Sequence, residues 1–371
     1  MNLNNLIFLD KFYQNKAEYF VDSSDSLNYR YTPLFFLFFL LIVGFKQYIF
    51  KPIQCWVPPE FSRSWEEYAE NYCWVQPTYV VPYDGRFPLR NERTEKLYYY
   101  QWVPVVLFLQ IFLSMLPYFL WKKIGNNIGI NLQNIIKLIN KSKAESGIED
   151  DLEETVSEIA SKFIKLFHNR SISSSEKCNI RNNSLFFGYI VFKLLSILVS
   201  GLQIIIMKYF IGNVTFTFGW DILYHLIKGK DWKKTHIFPR ISGCDVVLRR
   251  SGQPITYSFL CALPINMLNE KIYIFLWFWM ILCICISCIS LLYWTYKLFS
   301  LKQKRKLVNK LLLIFCDEKD QQIPVEEVDQ FIKSFLKFDG IFIIEMITQK
   351  YGVVTSSLLT RKIYDSFYNI I

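Results

Sequence analysis

Ile272 to Tyr296 reads IYIFLWFWMILCICISCISLLYWTY, a run of 25 residues without a charged side chain. The hydrocarbon core of a bilayer is about 30 Å thick, so a helix needs roughly 20 apolar residues to cross it. Three further stretches have about this length: Thr32 to Phe50, Leu97 to Trp121 and Leu185 to Met207. One such block could be a buried core helix, but four in 371 residues predict an all-α membrane protein, a bundle of four transmembrane helices.

The overall composition agrees with a membrane chain and excludes several other classes. The sequence is 52% apolar and 18% aromatic, with a formal net charge of +10. The apolar blocks contain no cluster of His, Asp, Glu or Ser with catalytic or metal-ligand spacing, and the sequence has no glycine-rich phosphate loop. We therefore predict neither an enzyme nor a cofactor site. The positive charge is spread among the loops, which favours membrane lipid over nucleic acid as its partner.

Basic residues near the ends of the apolar blocks predict the orientation. Lys122 and Lys123 follow the second block, and five basic residues lie between Lys297 and Lys306 after the fourth. Because Lys and Arg are retained on the cytoplasmic side during insertion, these ends are predicted to be inside, and an even number of spans places both termini there. The predicted order is a cytoplasmic amino-terminal segment (1–31), TM1 (32–50), extracellular loop 1 (51–96), TM2 (97–121), a cytoplasmic loop (122–184), TM3 (185–207), extracellular loop 2 (208–271), TM4 (272–296) and a cytoplasmic tail (297–371).

The cysteines agree with this topology. Two fall in each outer loop: Cys55 and Cys73 in the first, Cys244 and Cys261 in the second. An even number in an oxidising compartment predicts two disulfides, and the three possible pairings stay open at this point. Bridges between the loops would fix them against each other as one rigid cap.

Two features inside the spans have alternative explanations. Cys283, Cys285 and Cys288 could hold a metal, but their i, i+2, i+5 spacing scatters them around a helix, so small buried thiols are the favoured interpretation. Lys193 lies inside TM3, where a charge is costly. It is expected either to line a polar lumen or to extend its ammonium to the membrane surface.

The loops also carry local signals of secondary structure. Ser64 and Glu67 have the spacing of a capping box, and helical period follows in Trp65, Tyr68, Ala69 and Tyr72. In the second outer loop, two strand-like runs flank Ser251-Gly252-Gln253-Pro254, which predicts a hairpin. A helical cytoplasmic region is predicted from two amphipathic patterns: Leu152, Val156, Ile159, Phe163 and Phe167, and then Val325, Val328, Phe331, Phe335 and Leu336.

The start of TM2 carries the element Tyr99-Tyr100-Gln101-Trp102-Val103, followed at once by Pro104. This element resembles the signature of innexins, the gap-junction proteins of invertebrates. Similar segments cover residues 20–122 and 185–296, and the middle loop and tail add little. They include Leu27-Asn28-Tyr29-Arg30-Tyr31, Pro52-Ile53-Gln54-Cys55-Trp56-Val57-Pro58, Phe238-Pro239-Arg240 and Leu263-Pro264-Ile265-Asn266.

The resemblance implies a large-pore channel at gap junctions of the plasma membrane. Copies of the chain or related subunits would form a ring, eight by resemblance, which docks onto a ring in the neighbouring cell and passes ions and small metabolites. It also implies the disulfide pairing Cys55 with Cys261 and Cys73 with Cys244. Because one four-helix bundle packs closed, a wide lumen must lie between subunits.

The resemblance further implies that the amino-terminal segment folds into the pore mouth as a helix. Asn2 and Asn5 could then face water, and Asp10 could supply a ring of negative charge; a frayed terminus and a solvated surface position are the alternatives. Pro104 removes a backbone donor in TM2 and could permit a gating bend, whereas kinked packing without motion is the simpler alternative.

Two other functions are open. An undocked hemichannel would release small metabolites from a single cell, and heavy glycosylation of the outer loops would favour it. A non-conducting four-span adhesion or scaffold protein would also have disulfide-linked outer loops. That protein would require neither the element at Tyr99 to Val103 nor a polar amino terminus able to enter a lumen.

Overall fold

A computed structural model of the chain describes residues 21–81, 88, 93, 96–127, 156–165, 184–212, 215–228, 238–250, 252–314 and 324–370. In chain order, the helices are α1 (Ser23–Tyr48), α2 (Arg63–Val75), α3 (Tyr99–Asn127), α4 (156–165), α5 (Ser184–Ile211), α6 (Phe218–Ile227), α7 (Pro264–Phe299), α8 (Leu301–Leu313), α9 (Val325–Gln330), α10 (Lys337–Tyr351) and α11 (Val353–Ile370). The strands are β1 (Gln54–Trp56), β2 (Thr78–Val80), β3 (Lys96–Leu97), β4 (Ile241–Arg250) and β5 (Gln253–Ala262).

Four of these helices, α1, α3, α5 and α7, are long and apolar enough to cross a membrane. The prediction of an α-helical membrane protein with four spans is therefore confirmed. The longest is α7, which contains the 25-residue run and extends it at both ends. Helix α3 continues through Pro104 to Asn127, so the gating bend proposed at this proline stays a prediction.

A π-helical turn at Leu27–Tyr31 interrupts α1 near its start. Pro33 lies two residues after this turn and has no backbone N–H, so one hydrogen bond of the regular α-helical pattern is missing here. The Thr32 hydroxyl, Oγ1, donates to the Leu27 carbonyl over 2.8 Å instead. Proline and threonine therefore account for the wider turn at this point.

The chain divides into two compact units, each described by itself. The disulfide unit comprises Leu27–Met115 and Ile197–Cys285, and the terminal unit comprises Met1–Ser26, Leu116–Ser196 and Ile286–Ile371. All five strands belong to the disulfide unit, where they form one antiparallel sheet in the order β1-β5-β4-β2-β3.

Strands β4 and β5 pair along their whole length, from Ile241 opposite Ala262 to Arg250 opposite Gln253. The predicted hairpin is thus confirmed. Its turn contains Gly252 with a φ of 83°, a left-handed conformation that glycine adopts without steric cost. Residues of the first loop complete the sheet, because β1 pairs with β5 and β2 pairs with β4.

In the terminal unit, helices α8 to α11, with a π-helical segment at Phe331–Leu336 between α9 and α10, contribute to an apolar core. Its buried members include Val308, Leu312, Val328, Phe331, Leu336, Phe342, Ile343 and Ile363. Arg305 binds both carboxylate oxygens of Asp329 and thereby holds the pKa of this carboxyl below its usual value. The amphipathic pattern predicted in the tail is confirmed, except that Val325 is exposed.

The amphipathic pattern of the middle loop is partly within the described chain. Val156, Ile159 and Phe163 are buried on one face of α4, as the pattern predicts. Leu152 and Phe167 lie outside the described residues.

The structure shows that both expectations for Lys193 were wrong. Its side chain is fully buried, so it neither lines a lumen nor reaches the membrane surface. The ammonium lies 2.7 Å from a carboxylate oxygen of Asp22 and 2.7 Å from one of Asp25. Asp22 directly precedes α1, and Asp25 lies in its first turn. Their carboxylates compensate the positive charge of Lys193.

Asp339 is buried and anchors the first turn of α5. Its two carboxylate oxygens accept hydrogen bonds from the backbone N–H groups of Leu185 and Phe186, over 3.3 and 3.0 Å. These donors have no partner within their own helix, and the positive end of the helix dipole favours a negative charge there. A residue 153 positions away in sequence thus caps α5.

We expect Asp339→Ala to lower the stability of the detergent-solubilised protein by about 2 kcal/mol, because two buried donors lose their acceptor. Thermal unfolding measures the change. Asp365→Ala is the matched control, since Asp365 pairs with Arg361 on an exposed part of α11 and surface pairs contribute about 0–1 kcal/mol. Equal melting temperatures for the two variants would contradict the capping role.

Candidate functional site

Two disulfide bonds join the segments that contain β1 and α2 to the β4–β5 hairpin. Cys55 of β1 is bonded to Cys261 of β5, directly opposite in the sheet, with a Cα–Cα distance of 3.9 Å. Cys73, near the end of α2, is bonded to Cys244 of β4, with a Cα–Cα distance of 5.8 Å. Of the three pairings that the residues allow, the structure has the one that the resemblance implied.

The four cysteines form the centre of a buried layer. All four are buried, and the sulfur atoms of Cys55, Cys73 and Cys261 lie within 4.8 Å of one another. Such a cluster could hold a metal ion if the thiols were free, but each sulfur is already bonded to another sulfur. In α7, Cys283 is buried, Cys288 is partly buried and Cys285 is exposed. The expectation that all three are buried thiols was therefore wrong for Cys285.

Helix α2 is attached to the sheet by one face. Ala69 and Cys73 are buried on this face, whereas Trp65 and Tyr68 are exposed. Glu70 is buried as well, and its carboxylate accepts a hydrogen bond from Lys51 over 2.6 Å, which raises the pKa of the lysine. The predicted helix is confirmed.

The predicted start of α2 was wrong by two residues. The helix begins at Arg63 with Ser62 as its N-cap residue, so Ser64 is already inside the first turn. The residues predicted at helical period do not all share one environment. Ala69 packs inward, whereas Trp65 and Tyr68 face away from the core. This leaves two aromatic rings available at the surface of the loop.

A polar network joins β2, β4 and β5 at the sheet. The Tyr79 hydroxyl donates to Asp245 over 3.1 Å, Ser258 donates to the same oxygen over 2.6 Å, and Arg93 pairs with the other oxygen. Burial, aided by the Asp245 carboxylate, raises the pKa of Tyr79 to about 12. Gly243 lies beneath the Tyr79 ring, and a Cβ at this position would come within 2.2 Å of the ring.

The element Tyr99 to Val103 forms the first turns of α3. Tyr100 is fully buried, its ring lies 5.2 Å from that of Trp74, and its hydroxyl is 3.2 Å from the Thr78 hydroxyl. Val103 is buried beside it, whereas Trp102 is exposed. Tyr100 therefore fixes the start of the span to the end of α2 and the start of β2.

Gln101 of the same element connects two further parts of the disulfide unit. Its side-chain amide donates to the carbonyl of Trp74, at the end of α2. Its own carbonyl accepts a hydrogen bond from Gln47 of α1 over 3.3 Å. The ring of Tyr99 lies 6.1 Å from the rings of Phe210 and Phe238. The element is thus the joint between the spans and the disulfide-bonded sheet.

The candidate pore residues Asn2, Asn5 and Asp10 lie outside the described residues, and their roles stay predictions. The sequence reasoning missed the partners of Lys193, namely Asp22 and Asp25. A signal was present, since a lysine within an apolar span requires a buried counter-charge, and these two carboxylates directly adjoin TM1.

A model of the family described as Innexin matches residues 21–367, nearly the whole chain. This chain belongs to the innexin family.

Three relatives from Caenorhabditis elegans show the extent of the similarity. This innexin is 30% identical to Innexin-11 over 368 residues, covering 93% of this chain and 78% of the relative. It is 31% identical to Innexin unc-9 over 361 residues, covering 93% of this chain and 92% of the relative. It is 30% identical to Innexin-5 over 382 residues, covering 93% of this chain and 80% of the relative.

Family membership confirms several predictions from the sequence. Innexins form gap-junction channels, so this innexin is a channel-forming, multi-pass protein of the plasma membrane at gap junctions, and it assembles into oligomers. The family is not enzymatic. The non-conducting adhesion or scaffold alternative is therefore set aside.

We expect Gly243→Ala to destabilise the sheet by about 1–3 kcal/mol, because the added methyl group overlaps the Tyr79 ring. Thermal unfolding of the solubilised protein measures the change. Gly201→Ala in α5 is the matched control, since a Cβ there meets nothing within 4 Å and alanine favours helix. In a Tyr79→Leu background the cost of Gly243→Ala should fall; an undiminished cost would contradict the overlap with this ring.

Proposed function

We propose that this innexin forms intercellular channels in which the disulfide-bonded sheet is the docking face. The observation that carries this proposal is a hairpin locked at its base and exposed beyond it. Cys244 and Cys261 fix the base, while Val247 and Ile255 further along are 46% and 38% exposed. Two faces of this kind lose little conformational entropy when they meet, because the disulfides already hold the strands of the sheet together.

The orientation supports the same proposal. Disulfides persist in oxidising compartments, so the segments 51–96 and 208–271 are proposed to lie outside the cell. The basic residues that follow α7 then lie inside with both termini, the middle loop and the tail. A docking face outside and helical regions inside are the arrangement that a cell-to-cell channel requires.

The pore is proposed to form between subunits. The described part of the chain has four helices that are long and apolar enough to cross a membrane, and a four-helix bundle leaves no wide lumen within itself. Cyclic symmetry provides one, with eight subunits by resemblance to other innexins. The amino-terminal segment, with Asn2, Asn5 and Asp10, is proposed to enter the pore mouth, where rings of polar and acidic side chains give coarse selectivity for cations.

Docking is tested by recording from paired cells that express the chain. We expect Cys55→Ser and Cys244→Ser to lose junctional conductance by roughly tenfold or more, because each removes a bond that closes a loop of more than a hundred residues. Cys285→Ser changes an exposed thiol of α7 and serves as the matched control. Surface labelling confirms that equal amounts of each variant reach the membrane.

Two results would contradict the docking proposal. One is full junctional conductance in the cysteine variants. The other is conductance across single membranes with no junctional conductance for the unmodified chain, which would identify an undocked hemichannel instead.

The pore-mouth assignment is tested by charge removal. If eight Asp10 side chains surround the lumen, Asp10→Asn should lower the unitary conductance and the preference for cations over anions, by roughly twofold or more. Asp365→Asn is the control, because Asp365 lies in α11 and is half-exposed beside Arg361. An Asp10 variant with unchanged unitary conductance and selectivity would contradict the assignment.

A further inference from the structure

Helix α8 follows the fourth span directly and contains five basic residues and no acidic one. Lys302, Lys306 and Lys310 are exposed and recur every four residues, so they form one line along the helix, the lysine stripe. Within the described part of the chain, none of the three forms an ion pair. Like charges at this spacing repel one another, so a negative partner would stabilise the stripe.

The opposite face of α8 is already covered by the apolar core of the terminal unit. The buried apolar residues of this face are Val308, Leu311 and Leu312. Lys304 is buried on the same side, with its ammonium 3.8 Å from the centre of the Phe338 ring. Arg305 is paired with Asp329. The lysine stripe therefore carries the charges of α8 that have no partner within the described chain.

The end of α7 places α8 at the boundary of the membrane. Exposed apolar side chains form one face of α7 up to its last residue; they are Ile289, Leu292, Tyr296 and Phe299. Such a face on a spanning helix is stable only where lipid or another apolar surface covers it, and tyrosines are enriched where lipid meets water. Two residues separate Phe299 from Lys302, so the lysine stripe begins at the bilayer surface.

The chain changes direction between α7 and α8. Ser300 separates the two helices, and its ψ of 114° is extended instead of helical. The side-chain amide of Gln303 donates to the Tyr296 hydroxyl over 3.2 Å, which joins the first turn of α8 to the last turns of α7. Helix α8 therefore leaves the axis of the span while its first turn stays beside a tyrosine at the membrane boundary.

The chemistry of the stripe favours lipid over a protein partner. Proteins that hold an amphipathic helix in a groove bind its apolar face, and the apolar face of α8 is buried. Anionic headgroups need only the exposed lysines, because each ammonium offers three donors to phosphate or carboxylate oxygens. Leu313 lies on the same side of the helix as Lys306 and is 53% exposed, so it can enter the boundary between headgroups and acyl chains.

We propose that Lys302, Lys306 and Lys310 bind the headgroups of anionic phospholipids in the inner leaflet and hold α8 on the membrane surface. This inference rests on the proposed function in one respect: α8 must lie on the cytoplasmic side, where the leaflet is negatively charged. Each basic residue near such a surface strengthens the attraction by roughly fivefold, and salt weakens it.

The first test measures the reactivity of the lysines in the unmodified full chain. The protein is reconstituted in nanodiscs of phosphatidylcholine, with or without phosphatidylserine, and treated with a water-soluble acetylating reagent. Mass spectrometry then gives the rate at each lysine. The lysine stripe should react more slowly by roughly threefold or more in the anionic discs, because bound headgroups cover the ammonium groups. Lys162, Lys165 and Lys333, which are exposed elsewhere in the terminal unit, are the internal controls.

The second test removes the three charges. The triple variant Lys302→Gln, Lys306→Gln, Lys310→Gln should bind soluble short-chain phosphatidylserine more weakly by roughly tenfold or more. The matched control has the same loss of charge through Lys162→Gln, Lys165→Gln and Lys333→Gln, and it should bind as the parent chain does. Native mass spectrometry of the detergent-solubilised full chain measures the binding at low and high salt.

Several outcomes would overturn the proposal. One is an equal rate at the lysine stripe in both kinds of disc; slow rates in both would assign the stripe to contact between subunits instead. Another is an equal loss of lipid binding in the two triple variants. Discs expose both membrane faces, so they test lipid binding independently of orientation in the cell. Protection in anionic discs, with Cys316 labelled from outside intact cells, would support the lipid contact and contradict the proposed orientation.

Discussion

Covalent linkage between distant segments is the constraint on which the outer part of this innexin depends. The two disulfides join residues 206 and 171 positions apart and thereby connect β1 and α2 to the β4–β5 hairpin. Strand β1 has three residues and β2 has three, too few to hold a sheet in water by backbone hydrogen bonds alone. The Cys55–Cys261 bond holds β1 beside β5, and the Cys73–Cys244 bond holds the end of α2, which shortly precedes β2, beside β4.

Within the spans, several polar side chains donate to an acceptor on a neighbouring helix. In the disulfide unit, the Gln203 amide of α5 donates to the Ser114 hydroxyl of α3 over 2.9 Å. In the terminal unit, the Lys193 ammonium is surrounded by carboxylates and hydroxyls. Lipid offers no alternative hydrogen-bond partner, so such contacts specify which helix faces which.

Features set by local sequence could be predicted, whereas those set by tertiary contacts could not. The four spans follow from apolar length, and the hairpin follows from two strand-like runs around Gly252. The capping of α5 by Asp339 and the pairing of Lys193 join residues more than 150 positions apart. A lysine in an apolar span indicates that a counter-charge is needed, but no local pattern indicates which residue supplies it or that Asp339 caps α5. The disulfide pairing was implied only by resemblance, because four cysteines allow three arrangements.

The first residue of α2 could not be predicted from the local sequence. Ser62 and Ser64 are both suitable N-cap residues, and Ser64 has the better spacing to Glu67. The structure starts the helix at Arg63 with Ser62 as the N-cap residue, although the Ser62 side chain makes no capping hydrogen bond. The serine and glutamate spacing therefore indicates the helix but not its first residue.

The central claim is that four spans hold a disulfide-bonded sheet outside the cell. It is tested most directly by treating intact cells with a membrane-impermeant maleimide, with and without a reductant, and mapping the labelled peptides by mass spectrometry. The account predicts that Cys55, Cys73, Cys244 and Cys261 are labelled only after reduction, and that Cys178 and Cys316 are not labelled in either condition. Labelling of Cys178 or Cys316 on intact cells, with the other four cysteines unlabelled after reduction, would contradict it.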